Sequence, residues 1–467
     1  MTVPYWVQDA VFYQIFPDRF ANGDIGNDPP NVQAWGSMPT SRGFQGGDLR
    51  GIIQKFDYLL DLGVNALYLN PIFLSPSNHR YNTIDYFQID PRLGKSKDFK
   101  ALLDVAHSNR VRVILDGVFN HCSRGFFAFV DLLENQEHSA YRDWFHVRQF
   151  PVEAYSAGHA ENYLGWWGHR SLPKFNTDNL AVRRYLMNVA RYWIEQGADG
   201  WRLDVPNEID DDAFWAEFRQ VVKSDNPDAY LVGEIWTAEP RWVGANHFDG
   251  LMNYPLRDAL LEFLKGGTLT TAGFVERVEN LLKIYPRENA YAMYVTLGSH
   301  DTERLRTALG SDPNKVKLAF TFLFAYPGAP AIYYGDEVGM KGGKDPESRG
   351  GFPWNEEFWL ADLHSTVKAL ISARKRIPAL RRGDYRRILV DERRRCYAFA
   401  RRLGDEKILV VLNASPTLRH LRVPINELSW MDGLIVRNLL GGEEYIVSGD
   451  SVLVRLPAWS GVWIGSP

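Results

Sequence analysis

Eight short apolar runs, each followed by a longer amphipathic stretch, constrain this chain more than any other feature of its sequence. The runs are Val11–Phe16, Ala66–Asn70, Val111–Val118, Gly200–Val205, Tyr230–Ile235, Gly250–Asn253, Ala292–Leu297 and Ala331–Tyr334. They are short, bounded by polar or turn residues and largely continuous in their apolar character, which suits strands buried on both faces. Helical spacing marks the stretches between them: Leu49–Asp61, Phe99–Asn109, Leu180–Gln196, Asp212–Lys223, Leu256–Leu264, Phe274–Ile284, Lys315–Ala325 and Leu363–Ile377. Strand and helix alternating in this way predict an α/β chain folded as a (β/α)8 TIM barrel. A doubly wound open sheet fits less well, because no glycine-rich phosphate loop follows any strand.

Two departures from the rhythm add domains. Residues 122–177, rich in aromatics and histidine, are too many for an ordinary βα loop, so an inserted B domain is expected after the third strand. From residue 383 the helical period vanishes. Arg387–Asp391, Cys396–Arg402, Lys407–Asn413, His420–Val423 and Ser451–Leu456 read as short strands parted by turns. The expected organisation is a barrel over residues 1–121 and 178–382, the insertion 122–177, and a C-terminal antiparallel β-sandwich domain over 383–467. The Arg393-Arg394-Arg395 run reads as a solvated hairpin.

Charge narrows the partners. With 53 Lys+Arg against 57 Asp+Glu and a pI near 6.3, the chain lacks the basic excess of a nucleic-acid binder. Two cysteines, Cys122 and Cys396, make neither a disulfide framework nor a four-thiolate metal site. The start Met1-Thr2-Val3-Pro4 has no basic segment followed by an apolar run, and no stretch is apolar enough to span a bilayer. A cytoplasmic protein without a membrane partner is the expectation. Aromatics make up 13 % of the residues, enough for a large core, for a surface that stacks on sugar rings, or for both.

In a (β/α)8 barrel, chemistry gathers at the C-terminal ends of the strands. There the sequence places Asp116 and His121, then Arg202 and Asp204, then Glu234 and Trp236, and finally His300 and Asp301. A single Asp in such a place is most simply the N-cap of the next helix. Three carboxylates, Asp204, Glu234 and Asp301, converging on one rim beside Arg202 and two histidines ask for more. Glycoside cleavage uses such a set: one carboxylic acid protonates the leaving oxygen and a nearby carboxylate attacks the anomeric carbon. Arg202, two residues before Asp204 on the same strand face, would keep Asp204 ionised as nucleophile. Glu234 beside Trp236 would be the acid, and Asp301 would orient hydroxyls or stabilise positive charge.

These strings resemble the ordered regions of the α-amylase superfamily, glycoside hydrolase family 13. Asp116, Asn120 and His121 match its first region, Arg202 and Asp204 its second, Glu234 its third, and His300 and Asp301 its fourth. The resemblance implies Asp204 as nucleophile, Glu234 as acid/base and Asp301 as transition-state stabiliser. The string from Tyr13 to Asp24 and Leu172-Pro173-Lys174-Phe175-Asn176 resemble the neopullulanase, cyclomaltodextrinase and maltogenic amylase group. Within Gly200–Glu208 this chain has Pro206 where that group usually has Ala. By the same resemblance His79 and Tyr81 would contact the sugar at the cleavage point, and Asp345 with Arg349 would clamp the next one, although an ordinary surface ion pair has similar spacing. Trp166, Trp167 and Trp236 are candidate sugar platforms.

Asn22, Asp24, Asn27, Asp28, Gly46 and Asp48 offer oxygen ligands of the kind calcium prefers; an Asn/Asp-rich turn is the plainer alternative. The group's own calcium site, in matching strings, implies a structural Ca2+. The first strand begins close to residue 10, so the group's N-terminal β-domain and its dimer are not expected. What the resemblance implies is a retaining hydrolase of α-1,4-glucosidic bonds in maltooligosaccharides, cyclodextrins, pullulan or starch, with some transglycosylation. A glucanotransferase or isomerase would use the same constellation, and a noncatalytic sugar-binding or scaffold homologue, which would have lost the carboxylates, ranks last.

Overall fold

The computed structural model describes residues 3–466. Its barrel strands are β1 (Phe12–Ile15), β2 (Ala66–Leu69), β3 (Arg112–Gly117), β4 (Gly200–Leu203), β5 (Tyr230–Gly233), β6 (Gly250–Leu251), β7 (Tyr294–Thr296) and β8 (Ala329–Tyr333). All eight expected runs form strands; seven are trimmed at one or both ends, and the eighth starts two residues earlier than expected, at Ala329. Neighbours pair in parallel in the order β6-β5-β4-β3-β2-β1-β8-β7. A parallel bridge from Met252 to Tyr294, with Asn253 N donating to Tyr294 O at 2.8 Å, closes the ring.

The two faces of each strand explain the uninterrupted apolar runs. Val11, Tyr13, Leu67, Leu69, Val113, Leu115, Trp201 and Leu231 pack outward beneath the helices. Phe12, Ala66, Tyr68, Ile114, Tyr230, Val232, Tyr294 and Ala331 fill the barrel. Period-two alternation then carries each inward row toward the catalytic end, where it turns polar. Phe12 is succeeded by Gln14, Tyr68 by Asn70, Ile114 by Asp116, Arg202 by Asp204 and Val232 by Glu234. The same backbone register that seats the core thus aims the functional groups.

Helices follow the expected pattern with one exception. The stretch Leu49–Asp61 is split into Leu49–Gln54 and Phe56–Leu62 where Lys55 leaves helical geometry. Gly51 lies in the first piece against Ala21 O, an approach that a Cβ would block at 1.9 Å. Side-chain caps on Asn179, Asp211, Asn253, Thr270 and Asp312 start five of the longer helices.

The insertion carries one α-helix, Phe127–Asn135, three short 3-10 turns and several single bridges, among them His121 to Lys174 and Phe145 to Phe175. Phe126, Phe129, Phe145, Tyr163 and Phe175 are buried in it and continuous with the barrel core. Its aromatics are therefore mostly the glue that seats it on the rim.

Beyond the barrel lies an eight-stranded antiparallel sheet: β9 (Asp384–Asp391), β10 (Cys396–Leu403), β11 (Glu406–Asn413), β12 (Arg419–Pro424), β13 (Ile435–Asn438), β14 (Glu444–Ser448), β15 (Ser451–Leu456) and β16 (Ser460–Gly465). The order β9-β10-β11-β16-β13-β14-β15-β12 folds back so that its edge strands β9 and β12 touch. Cys396, Ala398, Leu409, Val411 and Ile464 face Leu421, Val423, Val452 and Val454 across a core of their own. Tyr397, Phe399, Val410 and Trp463 on the opposite face join the barrel core. Three of these strands, β13, β14 and β16, had no counterpart among the sequence expectations. The arginine run corrects another: Arg395 is not simply solvated but donates to Phe263 O at 2.7 Å, tying the turn to a barrel helix.

Candidate active site

One guanidinium organises the rim. Arg202 Nη1 lies 2.7 Å from Asp116 Oδ1 and 3.0 Å from Asp204 Oδ1, while its Nη2 lies 2.9 Å from Glu234 Oε2. All four side chains are buried. Three carboxyls around one cation carry more negative charge than it balances, and burial compounds the effect. Desolvation pushes the carboxyls of Asp116 and Asp204 above their usual range, and that of Glu234 up to about 7. Arg202 opposes the rise at Asp204 without cancelling it, a correction to the expectation that it simply holds that carboxyl ionised. Glu234, at about 7, is the group poised to exchange a proton near neutrality.

Glu234 is held through both oxygens. Oε2 accepts Val205 N at 3.0 Å beside the Arg202 contact, and Oε1 accepts Trp236 Nε1 at 3.2 Å. Trp236 is 43 % exposed and lies flat on Tyr254 with ring centroids 3.8 Å apart. An exposed indole face next to Glu234 has the form of a platform for a sugar ring.

A hydrogen-bonded chain joins the remaining residues. Tyr68 and Tyr81 both donate to Asp116 Oδ2, at 2.6 and 2.8 Å. The Tyr81 hydroxyl lies 2.5 Å from His300 Nε2, and the two rings stack 5.3 Å apart. Gln14 Nε2 sits 3.0 Å from His300 Nδ1 and also donates to Asn70 Oδ1. Because the Gln14 amide can only donate there, His300 Nδ1 is the acceptor and Nε2 bears the proton. Burial drives the His300 pKa well below the ordinary imidazole value, so this ring is neutral. Its 3.1 Å approach to Asp301 Oδ2 is accordingly a contact with a neutral ring and not an ion pair. His121 and His79 are likewise held neutral by desolvation, at about 3 and about 4.

Asp301 is the most accessible of the three candidate catalytic carboxylates, its side chain 32 % exposed. Arg349 Nη2 donates to it at 3.1 Å, while Nη1 lies 3.1 Å from Asp345 and Nε donates to His300 O. Arg349 is buried and reaches Asp301, whereas Asp345 is half exposed, so the arginine is set within the site and its pair with Asp345 lies at the solvent edge. On the other wall His121 stacks on Trp166, and Trp166 on the 71 % exposed Trp167. His79 stacks on Tyr81 and accepts its backbone N at 3.1 Å.

The structure thus brings together His79, Tyr81, Asp116, His121, Arg202, Asp204, Glu234, Trp236, His300, Asp301, Asp345 and Arg349. Sequence reasoning passed over Gln14, Tyr68, Asn70 and Tyr254. Gln14 carried a usable signal, a lone amide in an otherwise apolar strand. Tyr68 and Tyr254 carried none, since a tyrosine in a core element reads as packing.

The Asn/Asp cluster divides in two. Asp24 is spent on Gly26 N and Arg50, and Asp48 accepts Gly23 N, Asp24 N and Gly51 N as the cap of the Leu49 helix. Asn22 Oδ1 and Asn27 Oδ1, by contrast, are buried without a hydrogen-bond partner. Gly46, at φ 83°, leaves open a place beside Asp28 Oδ1 and Asn22 Nδ2 that a Cβ would fill. Unpartnered amide oxygens next to a carboxylate are the donor chemistry of a hard cation, so the residues present fit calcium. Among the described residues no cluster of three His, Cys, Asp or Glu side chains could hold a metal; amide oxygens carry the fit.

A (β/α)8 barrel with buried carboxylates gathered around an arginine on its C-terminal rim, walled by aromatic platforms, defines a glycoside hydrolase. Comparison with known proteins makes the family explicit. Residues 14–382 match the alpha amylase catalytic domain and residues 385–463 the maltogenic amylase C-terminal domain. The chain belongs to the alpha-amylase family. A cyclomaltodextrinase of Geobacillus thermopakistaniensis is 44 % identical over 458 residues, covering 98 % of this chain and 76 % of the relative. The cyclic alpha-maltosyl-(1→6)-maltose hydrolase of Arthrobacter globiformis superposes with a TM-score of 0.91 at 40 % identity, covering 100 % of both chains. A debranching enzyme from Nostoc punctiforme gives 0.89 at 42 %, again over 100 % of both. Among the described residues no helix is long and apolar enough to cross a membrane.

Proposed function

We propose that this chain is a retaining α-glucan hydrolase that cleaves α-1,4-glucosidic bonds through a glycosyl-enzyme intermediate on Asp204. The observation that supports it best is the shared guanidinium. A single Arg202 touching both Asp204 and Glu234 suits the short carboxyl separation of a retaining pair, about 5–5.5 Å, rather than the wider gap that admits a water in inverting enzymes.

Protonated Glu234 donates its proton to the glycosidic oxygen as Asp204 Oδ attacks the anomeric carbon, and the bond to the leaving sugar breaks. Oε2 accepts the Val205 N–H and faces the Arg202 guanidinium at 2.9 Å, so the proton belongs on Oε1, beside Trp236. Asp301, anchored by Arg349, faces the positive charge that develops on the ring. Ionised Glu234 then takes a proton from water, whose oxygen attacks the anomeric carbon and frees Asp204. Two inversions return the α configuration. A sugar hydroxyl in place of that water gives transglycosylation.

Maltooligosaccharides, cyclodextrins, pullulan and starch are the proposed substrates, the cyclodextrins supported by the likeness to a cyclomaltodextrinase. Digests of maltotriose, β-cyclodextrin, pullulan and soluble starch, followed by NMR of the first reducing end, test the reading. The α anomer should appear first; a β product overturns the retaining mechanism. Glucose and maltose dominating at low substrate mark a hydrolase, whereas longer or rearranged chains mark a glucanotransferase or isomerase.

A structural calcium ion is proposed on Asn22, Asn27, Asp28 and the Gly46 carbonyl. It would tie the loop after β1 to the segment leading into the Leu49 helix. Chelation should lower Tm by several degrees, restored by Ca2+ and not by Mg2+, which demands smaller octahedral geometry. In an Asn22→Ala/Asn27→Ala variant the chelator should have no further effect; an unchanged Tm in the wild type removes the ion.

A further inference from the structure

Val205, the residue after Asp204, has a left-handed backbone at φ 35° and ψ 51°. A β-branched side chain is a genuine outlier there, and such a conformation persists only where its surroundings over-determine it. Two features do so. Downstream, buried Pro206 opens the short turn Pro206–Glu208, with Glu208 N donating to Val205 O at 3.0 Å. From the insertion, Lys174 Nζ donates to Glu208 O at 2.5 Å and lies 3.8 Å from the Glu208 carboxylate. Lys174 is itself fixed through its backbone, which bridges to His121 and donates to Leu164 O.

The positive φ records which way the Asp204–Val205 peptide plane faces. Relaxing it to the extended region, with both strands in place, requires that plane to flip, turning Val205 N away from Glu234 and the Asp204 carbonyl toward it. In the structure the plane faces the other way, and Val205 N donates to Glu234 Oε2. We propose that Val205 is a positioning residue: its left-handed backbone, clamped by Pro206 and the Lys174–Glu208 strut, pins Glu234 Oε2 and leaves Oε1 to carry the proton. The proposal rests on Glu234 being the acid/base.

A backbone N–H on Oε2 favours the ionised carboxyl, and a carbonyl in its place favours the protonated one. Removing the strut with Lys174→Met should therefore move the alkaline limb of kcat/KM upward by about half a pH unit and lower kcat about tenfold with little change in KM. Glycine holds a positive φ without steric cost, so Lys174→Met/Val205→Gly should return the limb to its wild-type position. The Lys174 charge is lost equally in both variants, so only the backbone distinguishes them. Lys174→Arg should retain the wild-type profile. An unmoved limb in Lys174→Met, or one that Val205→Gly does not restore, overturns the proposal. Glu234→Gln, assayed on an aryl maltoside with a good leaving group, separates the two readings. Loss of its alkaline limb confirms Glu234 as the titrating group, so that an unmoved Lys174→Met then counts against Val205 alone. A limb persisting in Glu234→Gln overturns the acid/base reading and this proposal with it.

Discussion

Asp204→Asn should lower kcat/KM on maltotriose by about 10⁴-fold or more, the scale on which removing the nucleophile of a covalent mechanism acts. Asp204→Ala should match it, which guards against recovery of activity through deamidation. Glu234→Gln should lose as much on maltotriose yet recover much of the loss on α-maltosyl fluoride, whose leaving group departs without a proton. Asp204 variants should gain nothing from that substrate. This contrast assigns nucleophile and acid separately, because only the acid's work can be supplied by the leaving group. The pH profile carries the same logic. Burial first, opposed by Arg202, holds the Glu234 carboxyl at about 7, and a general acid must be protonated to act, so activity should fall as pH rises through about 7. His79 and His121, at about 4 and about 3, are neutral throughout and contribute no limb there. Steady-state kinetics between pH 5 and 9 check this; near-normal turnover by either folded variant would falsify the assignment.

The barrel was legible in the sequence because its strands are buried on two faces, so that length and apolarity alone mark them. Asp116, Asp204 and Glu234 were legible because a carboxylate near the C-terminal end of such a run is carried toward the rim, and Asp301 because it follows its run within four residues. What escaped was whatever the tertiary fold assembles from residues that look like packing. Tyr68 reads as core and is core, yet its hydroxyl feeds Asp116. Tyr254 starts a helix and also floors the Trp236 platform. Val205 looks like the last apolar residue of a strand; nothing in its identity announces a left-handed turn. In the C-terminal domain, β13 and β14 alternate buried and exposed positions over four or five residues, too few for a period to register. Arg349 shows the opposite case: its spacing from Asp345 suits a solvated pair, and only burial in the fold makes it the anchor of Asp301.

Arg202 should contribute to stability as well as to chemistry, and the two effects should part company with pH. Its guanidinium reaches Asp116, Asp204 and Glu234 at once, a task that a lysine's single ammonium cannot perform. Arg202→Lys should therefore fold but lose about 10²–10³-fold in kcat, the cost of a misplaced charge stabiliser. Arg202→Met removes the cation and leaves three buried carboxyls without a counter-charge. Breaking a buried network in this way costs about 3–5 kcal/mol when the remaining groups are ionised. The carboxyls can escape by binding protons, which raises their folded-state pKa values further above those of the unfolded chain. A group so shifted keeps its stability contribution at low pH and loses it as pH rises through its folded value. Urea unfolding should accordingly show a small deficit for Arg202→Met near pH 5 that grows steadily toward pH 8, as the folded protein is forced to release those protons. A deficit that is flat across that range would mean that packing around the Arg202 side chain, rather than its charge, holds the catalytic rim together.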